Sequence, residues 1–592
     1  MNLRKIKSLL LSFALATSTL SLTAQNSAQA ATGSSYINSS TVYAINTFTT
    51  AGSTENWTVP YGVTSIDAIA VGGGGGGAWD GGNGGGGGEL RSIASYSVSA
   101  GSVLSAVVGN GGAGGNWNGG TAAAAGSATR LQNAGTDVLV ANGGAAGTGW
   151  SSSQNYAAGG TGGSGGTGIQ GGQGGVNRWQ QNEGIGGNGS NGPTSTLATN
   201  STTYYGGGGG GGSCWGSINS GTYAGTSGGL GGGGGGAGHT QGSGSPAGTN
   251  GTANTGGGGG GGAACDGGTT NGSNQRTNGG SGGSGVVIVR YALTAPSTPV
   301  LPAATDSGQS NSDRVTAYTS FSLTGSAVGG SSIQIFNGAS PIGSPCTANV
   351  STGAYSCSLS GLTDGTYAFS AKASVSGGSS VASASSTIVV IDATSPSLEP
   401  SSGVSVAENQ TSISTITSNE TVTMQMTGGV DSLTVNFNTS TGVLTFKQAQ
   451  DYEAPTDSNA DRVYVVRIQV TDIAGNWRYR DISITLTNVN ESSTLSAPTV
   501  SGTIYKGVNT TITVTINVAG KVRFFVGGKR ISTCKERTTS GSYPNNTATC
   551  TWKPAVTGRQ YLTATLTPTD NSFSSSTSAR TEVFVLKRTN SR

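Results

Sequence analysis

Histidine is nearly missing from this sequence: His239 alone serves all 592 positions. Chemistry that needs two imidazoles is therefore excluded. No histidine lies outside the glycine-rich region, so neither a Ser-His-Asp nor a Cys-His arrangement can be assembled in the other segments. Charged residues make up 9% of the chain, which leaves few carboxylates for acid–base work. No C-x-x-C occurs, and without neighbouring histidines a zinc site lacks a ligand set. Beyond the N-terminus no stretch reaches the roughly 18 apolar residues that a membrane helix requires. Collagen is excluded as well. Between residues 72 and 285 the only prolines are Pro193 and Pro246, and glycine runs such as 72–77 and 231–236 break any strict three-residue repeat.

What is abundant is glycine: 107 residues, 81 of them within 72–285. Glycine brings no apolar area and loses the most backbone entropy on ordering, so an ordinary side-chain core cannot form there. Strand-like segments at 43–48, 57–60, 63–71, 92–98, 104–108, 138–141 and 286–291 frame and interrupt the glycine tracts. The tracts could remain flexible linkers. They could instead form extended three-residue helices that hydrogen-bond laterally, and the number of parallel runs favours this second reading.

The ends and cysteines point out of the cytoplasm. Arg4, Lys5 and Lys7 precede the apolar run 9–16 and then Ala28-Gln-Ala30, the pattern of an export signal with a small-x-small cleavage site. Residues 1–30 are expected to be removed, leaving a secreted or cell-surface protein without a membrane span. The stretch 583–592 carries neither a hydrophobic tail nor a Leu-Pro-x-Thr-Gly motif. The six cysteines fall into pairs that each share a segment, so disulfides are expected between Cys214 and Cys265, Cys346 and Cys357, and Cys534 and Cys550.

Composition divides the chain into a glycine-rich segment at 31–293 and further segments at 294–391, 392–491 and 492–592. The third holds 12 acidic and 5 basic residues, the fourth 3 acidic and 13 basic. Within the first, Trp57-Thr-Val-Pro-Tyr-Gly-Val-Thr-Ser-Ile66, Ala70-Val-Gly-Gly-Gly-Gly75, Val107-Val-Gly-Asn-Gly-Gly112, Val138-Leu-Val-Ala-Asn-Gly-Gly144 and Gly283-Ser-Gly-Val-Val-Ile-Val-Arg-Tyr291 follow one another. This succession resembles the glycine-rich domains of bacterial and phage surface proteins and, more distantly, of anaplastic lymphoma kinase receptor ectodomains. The resemblance implies a β-sandwich from which polyglycine helices project as a bundle, with loops that in phage tail-fibre adhesins bind a host surface.

Short alternating strands with frequent turns fill the remainder, an all-β pattern of three sandwich modules. Residues 294–391 resemble bacterial immunoglobulin-like repeats, through Ser332-Ile-Gln-Ile-Phe336, Asn337-Gly338 and Gly365-Thr-Tyr-Ala-Phe-Ser-Ala371, and 492–592 look immunoglobulin-like as well. In 392–491, Val406-Ala-Glu-Asn409, Gly442-Val-Leu-Thr-Phe446, Asp451-Tyr-Glu453, Tyr464-Val-Val-Arg-Ile-Gln-Val-Thr-Asp472 and Asn488-Val-Asn-Glu491 resemble a cadherin-like repeat. The resemblance implies Ca²⁺ binding by Glu408, Asp451, Glu453, Asn488, Asn490 and Glu491.

Physical chemistry supports that set, because calcium takes hard oxygen ligands and clustered carboxylates repel unless a cation neutralises them. Asp451 and Glu453, at i and i+2, are expected to point to one side of an extended chain. Tandem cadherins also receive an Asp-x-Asp pair from the following repeat, and this sequence supplies none, so the set is incomplete. A solvated acidic sandwich without an ion is the alternative. Asp457, Asp461 and Asp472 are expected at the surface or in turns.

The basic last module is expected to meet anionic envelope polymers through Lys521, Arg523, Lys529 and Arg530 rather than nucleic acid, for which no motif appears. A solvated basic surface is the bland counterpart. For the whole, a non-enzymatic adhesion or ligand-binding role is expected, directed at a cell-surface glycan or protein. Trp79, Trp117, Trp150, Trp179 and Trp215 are contact candidates, since exposed Trp anchors ligands and stacks on sugars. They could equally wedge against the scaffold. An ice-binding or structural matrix role is the alternative, with a carboxylate-pair glycosidase behind it.

Overall fold

The computed structural model describes residues 34–38, 41–149, 156–157, 177–178, 186–213, 224–238, 245–265, 275–375, 378–542 and 544–589. Among these the chain is all-β, with two short 3-10 turns at Ala303–Thr305 and Ser432–Thr434 and no α-helix. It forms two compact units, one of residues 1–307 and 311–392, the other of 308–310 and 393–592.

The first unit begins with a sandwich. Its five-stranded sheet runs Ser34–Asn38, Thr41–Phe48, Val286–Ala292, Ser65–Val71, Leu90–Ser97, and its four-stranded sheet runs Thr54–Thr58, Val103–Val107, Thr129–Asn133, Thr136–Ala141. Strands 65–71 and 286–292 read as continuous apolar runs because both faces are covered. Ile66, Ala68, Ala70, Val287 and Val289 share the main core with Phe48, Leu104 and Leu131. Ile69, Val71, Val286 and Ile288 form a second cluster with Ile45, Leu90, Leu197 and Tyr205. Fully burying each large apolar side chain contributes about 1.5–3 kcal/mol.

Glycine tracts continue directly from these strands. The central tract, 72–77, is entirely buried. Its N–H groups donate in a three-residue cycle: Gly72 and Gly75 to Glu89 and Gly86, Gly73 and Gly76 to Ser127 and Ala124, and Gly74 and Gly77 to Gly283 and Gly280. Its carbonyls accept from Gly112 and Gly115, from Gly144 and Gly147, and from Gly259. Six neighbouring tracts thus surround it, and three is the period of an extended polyproline-II-type chain. Close approach is what demands glycine here. A Cβ on any residue from 72 to 77 would lie 2.0–2.1 Å from a carbonyl oxygen of Asn142, Asn110, Gly257, Ala145, Ala113 or Gly260.

Side chains complete the bonding at the exposed rim, again in steps of three. Asn188 and Asn191 accept from the Ser227 and Leu230 amides (3.0 and 2.8 Å). Asn278 and Ser281 accept from Trp117 N and Gly114 N (2.8 and 3.2 Å). At the base, buried Glu89 accepts from the Asn142 amide and side chain (both 2.9 Å) and pairs with Arg91.

The same unit continues into a second sandwich. Strands Val315–Thr316, Thr387–Ile391, Gly365–Val375, Ser332–Asn337 and Ser340–Thr347 form one sheet in that order, and Phe321–Ser326 pairs with Ala354–Leu359. Cys346 and Cys357 are disulfide-bonded across it. Its core, including Leu323, Ile333, Ile335, Phe369 and Val389, is continuous with that of the first sandwich.

The second unit also holds two sandwiches. In the first, Val404–Ala407, Trp477–Thr487, Val463–Thr471 and Thr423–Gly428 form a sheet opposite Ser412–Thr415, Val443–Phe446 and Val435–Phe437, around Tyr464, Val466, Ile468, Leu444 and Phe446. In the next, a sheet built on Thr581–Leu586, Gly558–Pro568 and Gly520–Val526 faces Thr510–Ile516 and Asn546–Trp552, and Cys534 is bonded to Cys550. Glu491–Ser492 runs parallel to Phe573–Ser574 and ties the two sandwiches together.

Replacing Gly76 by Ala drives a Cβ to 2.0 Å from the Ala113 carbonyl, whereas at Gly119 the nearest atom would be 3.4 Å away. Gly76→Ala is expected to cost the head at least about 3 kcal/mol, and Gly119→Ala about 0.5 kcal/mol or less. Thermal unfolding of the two variants checks this. Equal melting curves would contradict the close-packed tracts.

Candidate functional site

Glu408 follows strand Val404–Ala407 and is 3% exposed. Its Oε2 accepts from Tyr452 N and its Oε1 from Val489 N, both at 2.8 Å, so one buried carboxylate holds the two loops that carry the other acidic candidates. Asp451 Oδ1 accepts from Glu453 N (2.8 Å) and Ala454 N (3.1 Å). This is an Asx turn, in which a short acidic side chain bonds the backbone two residues on. The chain is therefore bent at 451–454, not extended as the i, i+2 argument assumed. The turn nevertheless brings carboxylate oxygens of Glu408, Asp451 and Glu453 within 4.8 Å of one another.

The other three candidates flank this group. Asn488 Nδ2 donates to Glu453 Oε1 at 2.8 Å. Glu491 is turned to Asn409, accepting its Nδ2 at 2.7 Å. The Asn490 amide, with Nδ2 toward the following sandwich, donates to the carbonyls of Asn571 and Ser572 (3.1 and 3.3 Å).

Burial pushes the Glu453 carboxyl above the usual glutamate range, and the neighbouring Glu408 carboxylate pushes it the same way. Ser572 lies close enough to moderate this, but no hydrogen bond of standard geometry reaches buried Glu453 Oε2. Three crowded carboxylates with one orphaned oxygen make an all-oxygen donor set that fits a hard divalent cation.

One feature escaped the sequence reading. The last sandwich offers no Asp-x-Asp pair, yet its loop Asp570-Asn-Ser572 comes to this pole. Asp570, Ser572 and Phe573 line an open cleft of about 550 Å³ together with Tyr452, Glu453 and Asn488. Hydrogen bonds from Ser572 hold the Asp570 carboxyl below its usual range. The signal was present as a short Asp-Asn-Ser turn motif.

The three remaining acids sit at turns or at the surface, as expected, although two of them are buried. Asp472 is fully buried and accepts from Asn476 N and Nδ2 (2.8 and 2.9 Å), and Asp457 is buried and accepts from Asp461 N (2.7 Å). Both sit at turns, but inside them, because a carboxylate can replace missing backbone acceptors there. Asp461 is exposed.

In the head, Trp79 and Trp117 lie at the turns where tracts reverse, far along the chain from the strands that launch them. Their rings are 5.0 Å apart at 45°. The Arg276 guanidinium sits 4.5 Å from the Trp117 centroid and pairs with Asp80 at 2.9 Å. Both Trp residues are half-buried, so they are wedged and displayed at once. Trp150, Trp179, Trp215, Cys214, His239 and the leader 1–30 lie outside the described residues, as does the Cys265 side chain.

The basic patch of the last sandwich is partly neutralised. Lys521 and Arg523 share Glu536 (3.8 and 2.5 Å), whose carboxyl Arg523 holds below its usual range. Lys529 and Arg530 are exposed.

A family model described as a glycine-rich domain matches residues 49–292, and one described as a bacterial Ig-like domain matches residues 293–393. No curated protein matches the chain. Among solved structures, repeats EC1-4 of Drosophila N-cadherin align over 50% of this chain and 71% of that one, at 15% identity and TM-score 0.21. An I-band fragment of titin aligns over 50% of this chain and 100% of that one, at 11% identity and TM-score 0.31. Among the described residues no helix is long and apolar enough to cross a membrane.

Glu408→Ala strips two partly buried N–H groups of their charged acceptor and is expected to cost about 1–3 kcal/mol. Glu408→Gln, which keeps one acceptor oxygen, should cost less. Urea unfolding of the second unit's transition measures both. A loss under about 0.5 kcal/mol for the Ala variant would refute the bracing role.

Proposed function

We propose that this chain is an exported, extracellular binding protein of the adhesion type, whose glycine-rich head recognises a surface ligand and whose second unit binds calcium. The leader-like residues 1–30 and the disulfides Cys346–Cys357 and Cys534–Cys550 support export. The observation that carries the binding reading is the head's division of labour. Backbone groups of the tracts bond one another, so the scaffold needs few side chains. Among the described residues two tryptophans, Trp79 and Trp117, are gathered with Arg276 and Asp80 at the turns. Paired aromatic rings beside a charged pair suit a glycan or a protein surface. Nothing in this arrangement resembles a nucleophile with its base, and the acidic group at 408–453 is better used by a cation than by acid–base chemistry.

Glu408, Asp451 and Glu453 would hold calcium, with Asn488 orienting Glu453. Calcium supplies the positive charge that this carboxylate group lacks, and it would fasten the loops 451–454 and 488–491. Its link to the 570–572 loop makes the junction of the two sandwiches the part stabilised. With calcium at ten times its dissociation constant, the second unit is expected to gain about 1.4 kcal/mol. Glu453→Gln should abolish most of that gain. A thermal melt with and without millimolar calcium, magnesium and EDTA tests this, and an unchanged melting temperature would remove the calcium claim.

For the head, the full chain is expected to bind fixed target cells or a glycan array, and Trp79→Ala/Trp117→Ala to weaken binding about tenfold or more. Circular dichroism of the variant controls for folding. Undiminished binding by a folded double variant would sink the head reading.

A further inference from the structure

The outer face of the first sandwich of the second unit carries an ordered group of exposed aromatic and amide side chains. Strands Trp477–Thr487, Val463–Thr471 and Thr423–Gly428 are adjacent and antiparallel there. Register sets Trp477 opposite Thr471 and Thr471 opposite Thr423, then Tyr479 opposite Gln469 and Gln469 opposite Gln425. Directly opposed residues share a face, so these six side chains form two rows on the side away from the core. The intervening Ile468 and Val470 are fully buried.

Such a face is expected to be polar throughout. Here it displays two large aromatic rings, Trp477 at 55% and Tyr479 at 50% exposure. The rings are nearly parallel, 16° apart, with centroids 6.2 Å apart. Their order is imposed from one end. Asp481 accepts two bonds from Arg467 (2.7 and 2.9 Å), and the Arg467 guanidinium lies 4.6 Å from the Tyr479 centroid. Trp477 is thus the outer member of a braced stack. On the strands beside it, Thr423, Gln425, Gln469 and Thr471, with Thr439 and Met424, line a shallow, mostly polar depression of about 320 Å³.

We propose that this depression and the aromatic rings on the neighbouring strand together bind a neutral carbohydrate, with a sugar ring against Trp477 and its hydroxyls on Gln469 and Gln425. An aromatic ring offers flat apolar area to the C–H face of a sugar. Gln and Thr side chains both donate and accept, matching hydroxyls that do the same. The charges on this face, Arg467 and Asp481, satisfy each other bidentately, so the face has no net charge with which to attract an ion. Arg478 and Arg480 alternate to the opposite side of their strand. A nucleic acid would need a positive groove beside the rings, and an apolar peptide helix would need a groove instead of a polar-lined depression.

Affinity electrophoresis of the full chain through gels holding neutral polysaccharides (β-glucan, xylan, mannan, starch) or acidic ones (alginate, hyaluronate) tests this. At least one neutral polymer should retard the chain. Trp477→Ala should weaken that retardation about tenfold and Gln469→Ala about threefold to tenfold, while Trp477→Phe keeps most of it. All three substitutions are on an exposed face, and a melting curve of each confirms folding. Trp79→Ala/Trp117→Ala should leave it intact, which separates this site from the head. The proposal is overturned if no neutral polymer retards the chain, if acidic polymers are the ones bound, or if folded Trp477→Ala binds as well as the parent.

Discussion

Lateral hydrogen bonding between glycine tracts is the constraint on which the first unit depends. The described tracts bond mainly to their neighbours and not within themselves as an α-helix does, so each relies on the others. The central tract at 72–77 shows the consequence: it donates to three neighbours and accepts from three others. Removing one tract would orphan buried donors on several more. At 2.0–2.1 Å from carbonyl oxygens, Cβ positions along this tract leave no room for any side chain. Glycine there is required by distance, and its usual entropic cost is offset by the density of bonds.

That constraint explains the sandwich beneath. Strands Ser65–Val71, Val103–Val107 and Thr136–Ala141 run out into tracts, and Leu90–Ser97, Thr129–Asn133 and Val286–Ala292 receive them. An ordinary hydrophobic core therefore fixes the starting register of a region that has no core of its own. Buried Glu89, bonded to Asn142 and Arg91, locks two tracts at the point where they leave the sheets. Among the described residues, side chains complete the bonding along the rim as Asn and Ser in steps of three, and the Trp79 and Trp117 pair stands at the turns.

In the second unit, one type of group serves two ends. Asp431 accepts from Ser458 N and Val465 N, as Glu408 does from Tyr452 N and Val489 N, so buried carboxylates brace irregular loops in place of backbone ladders. At the 408–453 pole this bracing has an electrostatic consequence, because it sets three carboxylates together with one oxygen unsatisfied. Asp472 braces a turn in the same way, accepting from Asn476 N and Nδ2. Acidic residues in this module thus differ in role by their neighbours, not by their number.

The all-β character was legible in the sequence, since alternation in 463–471 and the apolar runs of 65–71 and 286–292 are local patterns with a period of two or of full burial. So was the exclusion of a side-chain core over the glycine region. The motifs around Glu408, Asp451 and Glu453 also pointed to one cluster. The Asx turn that bends 451–454 was missed because extended and bent chain carry the same residue types, and a side-chain bond to Glu453 N decides between them. Which tract lies against which was not legible at all: contacts between backbone and backbone leave no residue-type signature. The Trp477-x-Tyr479-x-Asp481 alternation was not read from the sequence, and the face it shows to water was settled only by which strands pair beside it. Local periodicity is a property of the chain itself. Neighbours, burial and the spacing of charges are properties of the packed fold, and they decided the rest.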